Sequence, residues 1–194
     1  MRLPGSGLRV IRVSELIFMH TLADERLRFI FGRRSIRKFA PGAVGDAEVD
    51  LMLKAAMAAP SAGAKDPWRF VVLREADTRA RIAAALPFGG MMADAAVGFV
   101  VCGDLGAAHS GQLSYLLQDC SAAIENLLLC AHALGLGGCW LGVHPREDRV
   151  QKLTEILGLP PGVIPVSAVA IGMPGESKEP RTRFNPAFVH RESW

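Results

Sequence analysis

No run of about 18 uninterrupted apolar residues occurs in this sequence, so no membrane-spanning helix is expected. Arg2, Arg9, Arg12 and Glu15 break up the segment Met1 to Phe18, which leaves no apolar core for a secretory signal. Cysteine is scarce. The four, at 102, 120, 130 and 139, include no Cys-x-x-Cys pair, which argues against a zinc knuckle or a dithiol centre. Their neighbours are apolar, as expected of buried, reduced thiols in a cytoplasmic protein. The five histidines, at 20, 109, 132, 144 and 190, lack ligand-like spacing, and no metal site is expected. Aromatic residues make up 7%, and none is interleaved with the basic runs. With a net charge of only +3, nucleic acid is not the expected partner. No pair of carboxylates suggests glycosidase chemistry. Ser61 lacks the Gly-x-Ser-x-Gly elbow of a serine hydrolase. The phosphate-binding pattern Gly-x-x-x-x-Gly-Lys-Ser/Thr is missing, as are internal repeats and low-complexity tracts.

What remains is a chain of 194 residues with a 50% apolar content, enough for one domain with a substantial core. Residues 1–18 read as a loosely held extension, with Met19 an alternative start, and 19–194 as the domain. A first helix is predicted over Thr21–Arg33, with Leu22, Leu27, Ile30 and Phe31 on its apolar face. Val49, Met52, Leu53, Ala56 and Met57 form one stripe on a helix over Asp46–Ala59, which Pro60 ends. Further helices are predicted over Asp77–Leu86, Leu113–Leu134 and Arg146–Leu157. The wide apolar face of the longest, Leu113–Leu134, suggests burial by the core and by a second subunit. Strands are predicted at Trp68–Leu73, Ala95–Cys102, Cys139–Val143 and Val163–Ile171. Phe88–Met92 reads as a loop, and the proline-punctuated end from Gly172 as a wrapping segment. Helices and strands intersperse without strict alternation, so the predicted class is α+β, a mixed β-sheet flanked by helices.

Two basic segments stand out, Arg33-Arg34-Ser35-Ile36-Arg37 and Arg181-Thr182-Arg183. Planar guanidinium groups with a hydroxyl suit a phosphate monoester; the plainer reading is a solvated basic helix end. Gly135-Leu136-Gly137-Gly138 closes a helix and precedes a strand, the reverse of a dinucleotide fingerprint, and reads as a cap with a tight turn. In Trp140-Leu141-Gly142 the glycine would let a flat ring lie against backbone, with a free N–H directed at it. Pro60-Ser61-Ala62-Gly63, between a helix and a strand, suits either the edge of a planar ligand or a plain turn.

In this order the segments resemble the FMN-dependent nitroreductase family. The resemblance rests on Arg33–Phe39, Ala59–Gly63 with Pro67–Phe70, Glu125–Leu129 running into Gly135–Gly142, Ile171–Pro174 and Pro180–Arg183, and covers residues 22 to 190. It implies a homodimer with two FMN sites at the subunit interface. Arg33, Ser35, Arg181 and Arg183 would hold the phosphate, with Arg34 beside it and Arg37 at the pyrimidine side of the ring. Pro60, Ser61 and Ala62 would come from the other subunit. Trp140, Leu141 and Gly142 would lie by the ring. The implied reaction is ping-pong reduction of a small acceptor, a nitroaromatic or quinone, by NAD(P)H. No side chain would act as catalyst, since the cofactor carries the chemistry. Reductive dehalogenation, flavin fragmentation and flavin binding without turnover are the alternatives. The sequence departs from the family at Ala64-Lys65-Asp66, where amides are common, and in the short Ala107–Gln112. Phe88, Met91, Met92 and Tyr115 are candidate pocket walls.

Overall fold

The computed structural model describes residues 25–194. The expected extension 1–18, the alternative start Met19 and the beginning of the first helix lie outside the described residues. That helix, α1, is described over 25–32. Then follow β1 (Phe39–Ala40), α2 (Asp46–Met57), β2 (Trp68–Leu73), α3 (Ala76–Ala85), α4 (Met91–Asp94) and β3 (Val97–Asp104). The remaining elements are α5 (Leu113–Ala133), β4 (Gly137–Gly142), α6 (Glu147–Leu157) and β5 (Val163–Pro174).

The sheet runs β1-β5-β3-β2, with β4 also paired to β5. Every pairing between these strands is antiparallel. Among the described residues, the parallel component of the expected mixed sheet is one bridge, Ser35 to Gly138, where the Ile36 N–H donates to the Gly138 carbonyl at 3.0 Å. Central strands β3 and β5 are buried on both faces, which is why they read as nearly continuous apolar runs. Alternate residues serve opposite layers. Phe99, Val101, Val169 and Ile171 join a core with Met52 of α2 and Leu116, Ile124 and Leu127 of α5. Val100, Ala168, Ala170, Cys139 and Leu141 pack on the other side with Ile82, Met92 and Leu153 of α3, α4 and α6.

Two expectations change. Phe88–Met92 is not wholly a loop, because Met91 begins the four-residue helix α4 and Met92 is fully buried under it. The predicted cap at Gly135 holds, with φ +76°, but Gly137 and Gly138 belong to strand β4 rather than to a turn. A Cβ at Gly137 would lie 2.8 Å from Ile36 Cγ2, so the glycine admits the Arg33–Arg37 segment alongside β4.

Burial explains the thiols as well. Cys102 and Cys120 are both pushed up to about 12 by desolvation, so neither is a nucleophile at neutral pH. All four cysteines are free. No described helix is long and apolar enough to cross a membrane.

Candidate functional site

Two segments distant in sequence, residues 31–38 and 175–181, meet beside the β4 edge. Beyond β5 the backbone turns back along residues 31–38. Gly175 N–H donates to the Lys38 carbonyl at 2.8 Å, and Arg181 N–H to the Phe31 carbonyl at 3.2 Å. Arg34 Nη1 donates to the Glu179 carbonyl, and Lys178 Nζ to the Ser35 carbonyl at 2.6 Å. Glu176 Oε1 accepts from Arg37 N–H at 2.6 Å and from Lys38 N–H at 3.3 Å, and lies 3.1 Å from Lys178 Nζ.

This pairing of arms encloses a cavity of about 280 Å³ walled by Arg33, Arg34, Ser35 and Arg37 from one arm and Lys178, Arg181 and Arg183 from the other. Arg33 is held by Glu125 at 3.3 Å, and Lys178 by Glu176. Among the described residues, Arg34, Arg37, Arg181 and Arg183 have no carboxylate within salt-bridge distance. Four uncompensated guanidinium groups around one hollow have the charge and donor geometry that suit a multiply charged anion.

A larger cavity of about 650 Å³ adjoins it, with Arg37 in the wall of both. One side is β4, through Cys139, Trp140, Leu141 and Gly142; the other carries Phe88 and Met91. Because the Gly138 carbonyl faces Ile36, the antiparallel alternation turns the N–H groups of Trp140 and Gly142 outward too, away from β5. They are donors at an unpaired sheet edge beside the cavity. The Gly142 carbonyl is taken by Arg149 Nη1 at 2.9 Å, and Arg149 lines the same cavity.

Pro60, Ser61 and Ala62 line neither cavity. Their loop is fixed locally. Ser61 Oγ donates to Asp66 Oδ1 at 2.5 Å, and Ala62 N–H to Asp119 Oδ1 at 3.0 Å. Of the proposed pocket walls, Phe88 (81% exposed) and Met91 do face the larger cavity. Met92 lies in the core, and Tyr115 instead meets the His109 ring edge-on at 5.2 Å.

The sequence reading missed Lys178, Glu176 and Arg149. For Lys178 the signal was available, a cation three residues before Arg181 on the same extended arm. Nothing in the sequence pairs Glu176 with the backbone of Arg37.

The profile of the Nitroreductase family matches residues 30–87 and 86–173. The chain belongs to the nitroreductase family. A protein of Archaeoglobus fulgidus named as an NADH dehydrogenase/NAD(P)H nitroreductase is 42% identical over 174 residues, 88% of this chain and 99% of the relative. A structure of a similarly named protein from Parabacteroides distasonis superposes with a TM-score of 0.82 at 32% identity, covering 88% of this chain and 99% of that one. A nitroreductase structure from Desulfovibrio desulfuricans, in complex with FMN, gives a TM-score of 0.75 at 32% identity over 87% and 96% of the two chains. In this nitroreductase-family chain, the matched residues reach the end of β5 but stop short of the arm that carries Lys178, Arg181 and Arg183.

Electrostatics at the arm junction give a testable pH dependence. The Glu176 carboxyl is held below its ordinary value of 4.5, chiefly by the Arg37 N–H and then by Lys178. A depressed carboxylate contributes stability above the unfolded value and loses it as pH falls through the folded one. The wild-type melting temperature should therefore fall more steeply below pH 4.5 than that of Glu176→Gln, which calorimetry across pH 3–7 would check. Equal slopes would remove Glu176 from the acid transition.

Proposed function

We propose that the chain is an FMN-dependent oxidoreductase that uses NAD(P)H to reduce nitroaromatics, quinones or similar acceptors in a ping-pong sequence. The observation that carries this reading is the uncompensated guanidinium cluster opening through Arg37 onto the free edge of β4. Bound FMN supplies the hydride and electron chemistry. The donor set suits it, with a phosphate dianion needing several charged donors and a flat ring needing backbone access. Arg33, Ser35, Arg181 and Arg183 hold the phosphate, Lys178 adds charge, and Arg34 lies beside them. Arg37 opposes negative charge at the pyrimidine end of the ring. Trp140 and Gly142 offer N–H groups at the ring edge, and Leu141 and Gly142 flank its face. Phe88 and Met91, across the cavity, wall off water and give an aromatic acceptor an apolar surface.

Pro60, Ser61 and Ala62 act in this reading from a second copy of the chain, across a homodimer seam. Their absence from either cavity of one protomer supports that assignment. So do the exposed apolar residues of α1 (Leu27, Phe29, Ile30, Phe31) and of the tail (Phe184, Phe188, Val189, Trp194), which are more than isolated surface hydrophobes. The free thiols support a reducing, cytoplasmic setting. Residues 1–18 are assigned to an extension outside the FMN-binding domain.

The first test is the visible spectrum of the purified protein with and without added FMN. A colourless protein that takes up none would reject the proposal. Arg183→Ala should weaken FMN binding by about 1.5–3 kcal/mol, the range for a hydrogen bond to a charged group. Titration by flavin fluorescence quenching measures this, and unchanged affinity would remove Arg183 from the phosphate.

A further inference from the structure

A carboxylate beside a cluster of guanidinium groups that awaits an anion is an oddity, because its own charge repels the ligand. Glu176 stands in that position, at the junction of the two arms. Its side chain is only 22% exposed. One oxygen, Oε1, receives Arg37 N–H, Lys38 N–H and the Lys178 ammonium. With these donors on it, that oxygen is turned to the protein. Lys178 in turn bonds to the Ser35 carbonyl, so Glu176 reaches three of the four residues from Ser35 to Lys38, directly or through one intermediary.

The backbone is built for this contact. At Gly175 a Cβ would lie 2.9 Å from the Phe39 carbonyl carbon, 3.0 Å from Ala40 N and 3.1 Å from the Lys38 oxygen. Only glycine lets the returning arm approach so closely, and that approach sets Glu176 opposite the Arg37 and Lys38 amides. Without a tie, six cations on two short arms would push the arms apart. An ordered cleft bears that cost before the ligand arrives, which is the general advantage of preorganisation.

We propose that Glu176 is a positioning residue that preassembles the FMN phosphate cleft by fastening the Arg37–Lys38 backbone and the Lys178 ammonium to one carboxylate oxygen. This rests on the FMN reading above and adds a residue that would touch no part of the cofactor. The anchor acts through geometry, by fixing where the Ser35 hydroxyl and the Arg37 guanidinium can point. The charge of Glu176 is then incidental to ligand affinity, while its acceptor oxygen is essential.

The test compares wild type, Glu176→Ala and Glu176→Gln in two measurements: amide hydrogen exchange at Arg37 and Lys38 without ligand, and FMN affinity by titration. Glu176→Ala should lose protection at both amides and bind FMN about tenfold or more weakly, as expected for loss of a hydrogen bond to a charged group. Glu176→Gln should restore both, since the amide oxygen accepts the same two N–H groups. Overturning results are full protection or full affinity in Glu176→Ala, or a Glu176→Gln variant as weak as Glu176→Ala, which would make charge the operative property. If wild type takes up no FMN, the cofactor reading fails, and exchange at the two amides still decides the anchor.

Discussion

Gly142→Val should fold normally and purify without yellow colour. A Cβ built at Gly142 meets no atom within 4 Å, and the residue does not have the left-handed backbone that would strain a side chain. Valine also favours a strand. The fold therefore has room for the substitution, and Gly142 lies in the wall of the cavity beside β4. Two methyl groups there would stand where the proposed ring lies against backbone. The outcome to measure is flavin absorbance per polypeptide, with the apoprotein melting temperature as control. A variant that loads flavin normally would move the ring away from this strand. A variant that simply unfolds would contradict the open space at the position.

The largest expected loss of stability is at the other end of the scale of crowding. Phe99 is fully buried in the middle of β3, opposite Val72 of β2 and Val169 of β5. Its ring faces the layer formed by α2 and α5. Phe99→Ala removes the ring from a packed interior and leaves a cavity that the rigid sheet cannot close. The expected cost is about 3–5 kcal/mol. For a chain of this length that corresponds to a melting temperature lower by roughly 6–20 °C. Chemical denaturation of the two proteins side by side measures it. A loss below about 1 kcal/mol would mean the core relaxes far more than close packing allows.

Long-range periodicity was the most legible property of the sequence. The stripe from Val49 to Ala56 and the apolar run of β3 announced elements whose burial follows from pattern, although Met57 at the end of that stripe is exposed, and β2 has the predicted limits Trp68–Leu73. Four residues of α4 are too few to carry a period, and Phe88-Gly89-Gly90 ahead of them reads as a breaker. Gly137 and Gly138 also misled. Glycine is disfavoured in strands on average, but here it is required by the close passage of Ile36 at Gly137 and of Ile171 and Leu128 at Gly138, a tertiary fact. At the site, runs of arginine were visible because they cluster along the chain. Lys178 and Glu176 are single charges, and their meaning lies in a bond to backbone some 140 residues away in sequence. Met92 and Tyr115 had the right chemistry for a pocket wall, but only packing decides which apolar residue turns inward.

Strand β5 does double duty, and this has a consequence for how such a protein can diversify. It pairs with β3 along one edge and with β4 and β1 along the other, then continues directly into the arm that bears Lys178, Arg181 and Arg183. The cationic hollow is thus an outgrowth of the most constrained strand in the molecule. The opposite wall hangs on a short helix and the Pro87–Gly90 stretch, with Phe88 almost free of neighbours. If the hollow holds the FMN phosphate as proposed, retention of the cofactor and choice of guest are mechanically separable. On that reading, mutations can retailor the rim around Phe88 for new aromatic molecules while leaving the anchorage beneath untouched.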